Sequence, residues 1–394
     1  MYLSRSLRLL LSMLLVLSLG GCSTVKGWFT LDEEDGKEPA PLVDIVTEIK
    51  LKKMWSAGVG SGQGDGFYHL RPVLDDDRIY AAGNDGKLVA LDRVSGKRHW
   101  QVDLDESLSG GVGVGENIVL LGTSDGKVLA LSAADGAQLW SVQLQGEILA
   151  PPQTNGRVVV VQSYDGRLHG LSAEDGGELW TYDSSLPVLT LRGTSTPIIF
   201  ERFAIAGFGN GKVVALDLQN GGVRWEARVA IPEGRSEIDR IVDIEGSMLL
   251  ASNVLYAVSY QGRIAAMDVA TGRKSWQQEV SSYVGLDQGF GNVYVSEESG
   301  SVIAYYRNGQ GVRWEQGGLT HRRLSAPKAV KGYVAVGDFE GYVHFMSQTD
   351  GHFVGRTKID SSGIRADMLA VDDVLYVFTN GGKLMALQVS AKGG

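Results

Sequence analysis

Asn84-Asp85-Gly86-Lys87-Leu88-Val89-Ala90-Leu91-Asp92, followed by Val94-Ser95-Gly96 and Trp100, is the stretch whose reading decides the fold. Asp85-Gly86 is a hairpin signal, because a two-residue hairpin turn needs positive φ and glycine adopts it without steric cost. The run after it has strand character, a second turn closes at Gly96, and a short strand carries Trp100. The same order recurs from Asp125-Gly126 to Trp140 and from Asp165-Gly166 to Trp180. Further copies centre on Gly211 with Trp225, Gly262 with Trp276 and Gly300 with Trp314, and weaker ones on Gly341 and Gly382. In the first six copies the tryptophan stands 14 residues after the turn glycine. Such phase-locking marks an internal repeat, which takes precedence over any other reading.

Each copy holds about four short antiparallel strands. In the second, Val112 to Leu121 supplies aliphatic and β-branched residues, Lys127–Leu131 the next strand, and Gln138–Val142 the last. Successive turn glycines are separated by 40, 40, 45, 51, 38, 41 and 41 residues. A four-stranded sheet of that size cannot bury both faces alone, so copies must stack, as propeller blades do. The eighth copy ends near Val389 with no room for an outer strand. Ile49-Lys50-Leu51-Lys52-Lys53-Met54-Trp55 reads as that missing strand. The expected fold is therefore all-β: an eight-bladed β-propeller of four-stranded antiparallel blades, closed by the N-terminal strand completing the last blade.

The chain has 394 residues, 53 of them glycine, and a formal net charge of −9. The acidic balance, with no basic cluster, argues against a nucleic-acid surface. Six histidines at unrelated repeat phases and a single cysteine offer no metal or disulfide framework. Arg5 and Arg8 precede an apolar run, Leu9 to Leu19, of signal-peptide length, and Leu19-Gly20-Gly21-Cys22 follows. This matches the bacterial lipobox and implies cleavage before Cys22 and lipid on its sulfur; the competing reading is an ordinary signal peptide with a spare cysteine. Ser23, rather than Asp, points to the outer membrane, with the body in the periplasm. The expected organisation is a signal peptide over 1–21, a lipidated acidic tether over 22–44 and the propeller over 45–394. The five glycines from Gly58 to Gly66 suggest a mobile loop.

Asp85, Asp125 and Asp165 lack the alternating oxygen ligands of a calcium loop and read as hairpin residues. No Ser-His-Asp or Cys-His arrangement is supported. The pattern Ala-Leu-Asp-x-x-x-Gly-x-x-x-Trp, seen from Ala90 to Trp100, Ala215 to Trp225 and Ala266 to Trp276, resembles the repeat of quinoprotein dehydrogenases. That resemblance implies tryptophans packed between blades. Those enzymes also carry a vicinal disulfide and a calcium beside the quinone, and one cysteine cannot form the disulfide. No cofactor or metal is expected, and a periplasmic quinoprotein dehydrogenase is the alternative reading.

From each tryptophan to the next turn glycine the counts are 26, 26, 31, 37, 24 and 27. The long connections are Trp180 to Gly211 and Trp225 to Gly262, together with Trp55 to Gly86 at 31; the first two are neighbours and open on one face, and insertions of this kind tend to mark a binding face. The first carries Leu189, Leu191 and Arg192. Its leucines either enter the core or stand exposed as anchors for a partner. The second, Ser236 to Gly246, offers carboxylates near Arg192, or is simply a solvated acidic loop.

Leu189-Thr190-Leu191-Arg192-Gly193 and Glu237-Ile238-Asp239-Arg240, with the lipobox and the repeat, resemble the outer-membrane protein assembly factor BamB family. Members are outer-membrane lipoproteins of Gram-negative bacteria and belong to the β-barrel assembly machinery. The resemblance implies a non-catalytic scaffold that binds the periplasmic POTRA domains of the machinery's central barrel protein, BamA, and assists insertion of outer-membrane proteins. Nascent outer-membrane proteins are a further candidate partner. The partner-binding positions it implies are Leu189, Leu191, Arg192, Asp243 and Glu245, the last at a position that can carry Asp. Two departures bear on packing: Gly355 stands where blade 7 should have its tryptophan, and Gln310 where blade 6 should have glycine.

Overall fold

The computed structural model describes residues 38–393 except 65 and 67. Cys22, the expected signal peptide and most of the expected tether lie outside the described residues. The chain divides into two compact units, Met1–Pro39 and Ala40–Gly394, and every described strand lies in the second. Among the described residues there is no helix, and strands gather into eight sheets.

Seven sheets take their strands in chain order from the axis outward; the eighth is completed from the other end of the chain. Blade 3 shows why the sequence demands this. Its second strand, Val158–Gln162, is wholly buried, and so are the central four residues of Arg167–Ser172. The outer strand, Glu178–Asp183, buries only Trp180. Near-continuous apolar runs therefore become the middle strands, and the polar strand with one tryptophan becomes the rim. The core is not one central mass but a ring of wedges between blades. One wedge joins Ile205, Val213 and Trp225 of blade 4 to Leu255, Ala265 and Met267 of blade 5.

Each tryptophan of the described residues binds the next blade. Trp55 donates its indole N–H to Arg93 O at 3.0 Å, Trp140 to Ala173 O at 2.9 Å, Trp180 to Leu218 O at 2.9 Å and Trp314 to Gln348 O at 3.1 Å. The second-turn glycine of that next blade lies against the ring. A Cβ on Gly96 would stand 2.5 Å from Trp55, and one on Gly176 2.8 Å from Trp140. These glycines also have positive φ, so the Gly-x-x-x-Trp pattern is a contact between neighbours as well as a turn.

Ile49–Gly58 pairs antiparallel with Lys383–Ala391, from Ile49 opposite Ala391 to Gly58 opposite Lys383, as the sequence predicts. The structure departs from expectation in four places. In blade 6, Gly309 does the work assigned to position 310: it has φ +82 and lies 2.6 Å, by its built Cβ, from Trp276. In blade 5 the positive φ of the first turn sits at Gln261, one residue before Gly262. In blade 7, Gly355 makes room for Ile49, whose Cγ1 would lie 2.7 Å from a Cβ there. Finally, the described part of the 58–67 loop is packed rather than loose. Val59 and Gln63 are buried, Gln63 N donates to Asn380 O at 2.9 Å, and Gln63 Nε2 donates to Leu70 O. His69–Leu70 then adds a fifth, parallel strand to the inner edge of blade 2, opposite Gly110 and Gly111.

Middle hairpin turns and crossovers share a face. Leu104 N donates to Gly86 O and Leu144 N to Gly126 O, both at 2.9 Å, and Ile359 N donates to Gly341 O at 2.8 Å. The enlarged connections therefore open on that crossover face, side by side.

Candidate functional site

The first enlarged connection is held from below by the second. Asp243 is 3% exposed, and its Oδ2 accepts the backbone N–H of Leu191 at 2.5 Å across 52 residues of chain. Asp243 itself is fixed by its backbone, whose carbonyl accepts Tyr260 N at 2.9 Å. Its other oxygen, Oδ1, has no hydrogen-bond partner among the described residues, nor has the neighbouring Thr194 Oγ1. Burial pushes the Asp243 carboxyl up to about 7; the Leu191 N–H opposes this and the Glu245 carboxylate adds to it. Asp243 is thus a buried latch between two loops rather than a surface charge.

Glu245 completes the seat. A Cβ on Gly193 would stand 1.8 Å from Glu245 Oε1, so the carboxylate packs directly against the glycine and would have to move for a larger residue. Tyr164, from the middle turn of blade 3, brings its hydroxyl to 3.3 Å from Thr190 Oγ1.

Arg192 points elsewhere. Its Nη2 lies 2.6 Å from Glu147 Oε2 and its Nη1 3.3 Å from Oε1, a two-pronged pair with the connection between blades 2 and 3. The sequence placed the carboxylates of the second loop near Arg192; its observed carboxylate partner is Glu147. That connection has the ordinary length, so nothing in the spacing marks it. The pair is half-exposed and gains only modest free energy in water, but two parallel hydrogen bonds fix a guanidinium plane.

The apolar residues sort into two kinds. Leu189 is 43% exposed and Val188 82% exposed, while Leu191 is half-buried above the Asp243 latch. Leu186, Ile231 and Ile238 are also exposed on the two connections. Val188 escapes a search for motifs, and Ile238, though inside the Glu237–Arg240 motif, was not singled out, because single apolar residues in loops are ordinary; both stand on connections that open on the crossover face. Ser236–Arg240 is held as a turn by Asp239, whose carboxylate accepts from Arg235 N at 3.3 Å and Ser236 N at 3.1 Å.

A second concavity lies on the axis, where Arg71 Nη1 donates to Ser247 Oγ at 2.8 Å and to Asp367 Oδ2 at 3.0 Å, joining blades 5 and 8. Lys328 in the same cavity pairs with Asp287 at 3.2 Å. These residues do not fit an anionic quinone, because each cation already faces a carboxylate that would repel it. Among the described residues no cluster of His, Cys, Asp and Glu could hold a metal ion.

Against known proteins, the sequence model of the family described as outer membrane protein assembly factor BamB matches residues 45–110 and 84–316. The BamB of Pseudomonas aeruginosa is 57% identical over 375 residues, covering 95% of this chain and 97% of that one. The BamB of Escherichia coli is 35% identical over 389 residues, covering 96% and 98%. The crystal structure of BamB from Moraxella catarrhalis superposes with a TM-score of 0.80 at 29% identity, covering 86% of this chain and all of the other. A quinohemoprotein alcohol dehydrogenase from Comamonas testosteroni superposes at 0.68 with 14% identity, covering 87% and 77%, a likeness of fold alone. By the reach and identity of these matches, the chain belongs to the outer membrane protein assembly factor BamB family.

Proposed function

We propose that the chain is a non-catalytic scaffold of outer-membrane protein assembly, lipid-anchored through Cys22 on the periplasmic side of the outer membrane. It holds the POTRA domains of the central barrel protein, BamA, against the crossover face of blades 3 to 5. The assembly role follows from family membership. The observation that carries the surface assignment is the exposed aliphatic group on two connections braced by one hydrogen bond, from Leu191 N to the buried Asp243. Exposed loops ordinarily lose entropy on binding, and a braced loop loses less.

In this reading Leu189 and Val188 supply the apolar contact, and Arg192, already oriented by Glu147, presents its remaining donors to a carboxylate or backbone carbonyl of the partner. Asp243 and Glu245 act at one remove, as positioning residues that seat Leu191 and Gly193. A lipid anchor confines the propeller to the membrane surface and raises the effective concentration of partners held there.

The test is co-purification of the barrel protein from detergent-solubilised membranes. A folded Leu189→Asp, Arg192→Glu chain is expected to lose at least about 90% of the partner, as burial of a charge in an apolar contact costs several kcal/mol. Recovery equal to that of the unaltered chain removes this face from the interface.

A further inference from the structure

Blade 7 is the one blade whose outer strand lacks the inter-blade tryptophan, and the place is taken by the N-terminal approach to the propeller. A Cβ on Gly355 would lie 2.7 Å from Ile49 Cγ1 and 3.9 Å from Thr47 Cγ2, and Ile49 is only 2% exposed. The aliphatic side chain fills the space an indole fills elsewhere.

Upstream of Ile49 the chain follows the outer strand of blade 7, Phe353–Lys358, in the opposite direction. Near that strand's start, Glu48 N donates to Val354 O at 2.8 Å, Glu48 O accepts from Lys392 N at 2.8 Å, and His352 Nε2 lies 3.0 Å from Glu48 Oε1. Further along, Arg356 Nη1 donates to Val43 O at 3.2 Å. Beyond the strand's end, in the connection from blade 6, Ala40 N donates to Thr320 O at 2.9 Å and Arg322 Nη1 donates to Ala40 O at 3.0 Å.

The arginine that receives Ala40 is built in. Arg322 is 3% exposed; its Nε donates to the fully buried Asp338 at 2.8 Å, its Nη2 pairs with Glu340, and Phe339 lies 5.2 Å from its guanidinium carbon. Arg356 is steadied by His344 Nδ1 at 3.1 Å, and His344 Nε2 faces Asp338 at 2.9 Å. A buried guanidinium left short of an acceptor is costly, and the Ala40 carbonyl supplies the acceptor for Nη1. Two separate features of blade 7, a notch and a buried arginine, are thus completed by the same N-terminal segment.

We propose that residues 40–48 are a strap belonging to the propeller, and that blade 7 is the docking site for this segment of the chain itself. The strap carries the chain from the closure strand back to the crossover face. The N-terminal arm therefore leaves there, two to three blades round the ring from the candidate docking loops. What the arm is tied to rests on the reading of Cys22 as the lipid site; the strap does not. The arm then runs from Cys22 to Pro39, 18 residues, which at full extension reach about 60 Å. With the strap released to Glu48 the arm would have 27 residues, reach about 90 Å, and leave from the opposite face. Blade 7 would thus set both the reach and the origin of the arm.

The experiment uses the full lipidated chain in detergent micelles, with hydrogen exchange resolved to single amides. The Ala40 and Glu48 amides are expected to exchange at least about 100-fold more slowly than unstructured ones. Arg322→Gln should speed Ala40 about tenfold or more while Glu48 stays slow, since the two bonds are independent. A glutamyl endopeptidase should cut the unaltered chain after Glu34 and spare Glu48. Unprotected exchange at both amides of the unaltered chain, or cutting after Glu48 as fast as after Glu34, overturns the strap, whatever the variant does. The mass of the N-terminal peptide reads lipid on Cys22 separately, so failure of the anchor is told apart from failure of the strap.

Discussion

At the scale of single residues, Asp243 combines two properties that usually exclude each other: it is buried, and it is ionisable without an opposite charge. Its cost to the fold follows from the sign of its shift. The folded chain holds the proton up to about 7, against 3.8 for an unperturbed carboxyl. Across that window the native state binds more protons than the unfolded state, so the contribution of this group falls as pH rises and levels off above 7. Asp243→Asn keeps an oxygen for Leu191 N and carries no charge. Urea unfolding over a pH series is expected to show a smaller loss of stability between 3.8 and about 7 in this variant. It should still bind the barrel protein, whereas Asp243→Ala, which abolishes the acceptor, should weaken that binding by about tenfold, the worth of one hydrogen bond.

At the scale of the blade, the unit of stability is the contact between a tryptophan and the glycine turn of the next sheet. Trp180 spans such a contact, 7% exposed and bonded to Leu218 O. Trp180→Ala is expected to cost about 3–5 kcal/mol in denaturant unfolding, with hydrogen exchange rising first in blades 3 and 4. This contact is also what made the fold legible. Turn glycines and tryptophans repeat because each must meet its neighbour, so their phase survives where other residues drift. The candidate docking loops were legible as excess length and as two short motifs, not as a geometry. The sequence left Leu189 either in the core or exposed, and nothing in it says that Asp243 lies under Leu191 or that Arg192 turns to Glu147. Those are contacts between connections of different blades, set by ring geometry rather than by any spacing along the chain. Gly355 is the converse case. Sequence marks it as a flaw in blade 7, because the side chain that answers it, Ile49, stands more than three hundred residues away.

At the scale of the whole molecule, the ring is held shut by the pairing of Ile49–Gly58 with Lys383–Ala391. Val389→Pro, at the position opposite Leu51 in that pairing, removes an amide that donates to Asp373 O at 2.7 Å, on the side of the strand facing away from Leu51. The proline leaves the Asp373 carbonyl without its donor, at a cost of about 1–3 kcal/mol. The midpoint of urea unfolding should fall accordingly, and exchange should rise in blades 1 and 8 before the rest. Exchange that rises in blade 8 alone would mean that the seam holds without this amide.

The seam also fixes an order of events in the life of the chain. The strand that closes the ring is made first and finds its partner last, after every other blade strand has been synthesised. For that interval Ile49–Gly58 is an orphan β-edge, the kind of segment that pairs with the wrong chain. Three of its residues, Lys50, Lys52 and Lys53, are lysines that stay exposed in the finished fold. In the folded molecule they contribute little to packing. In the waiting chain, their mutual repulsion keeps like strands apart until the right one arrives.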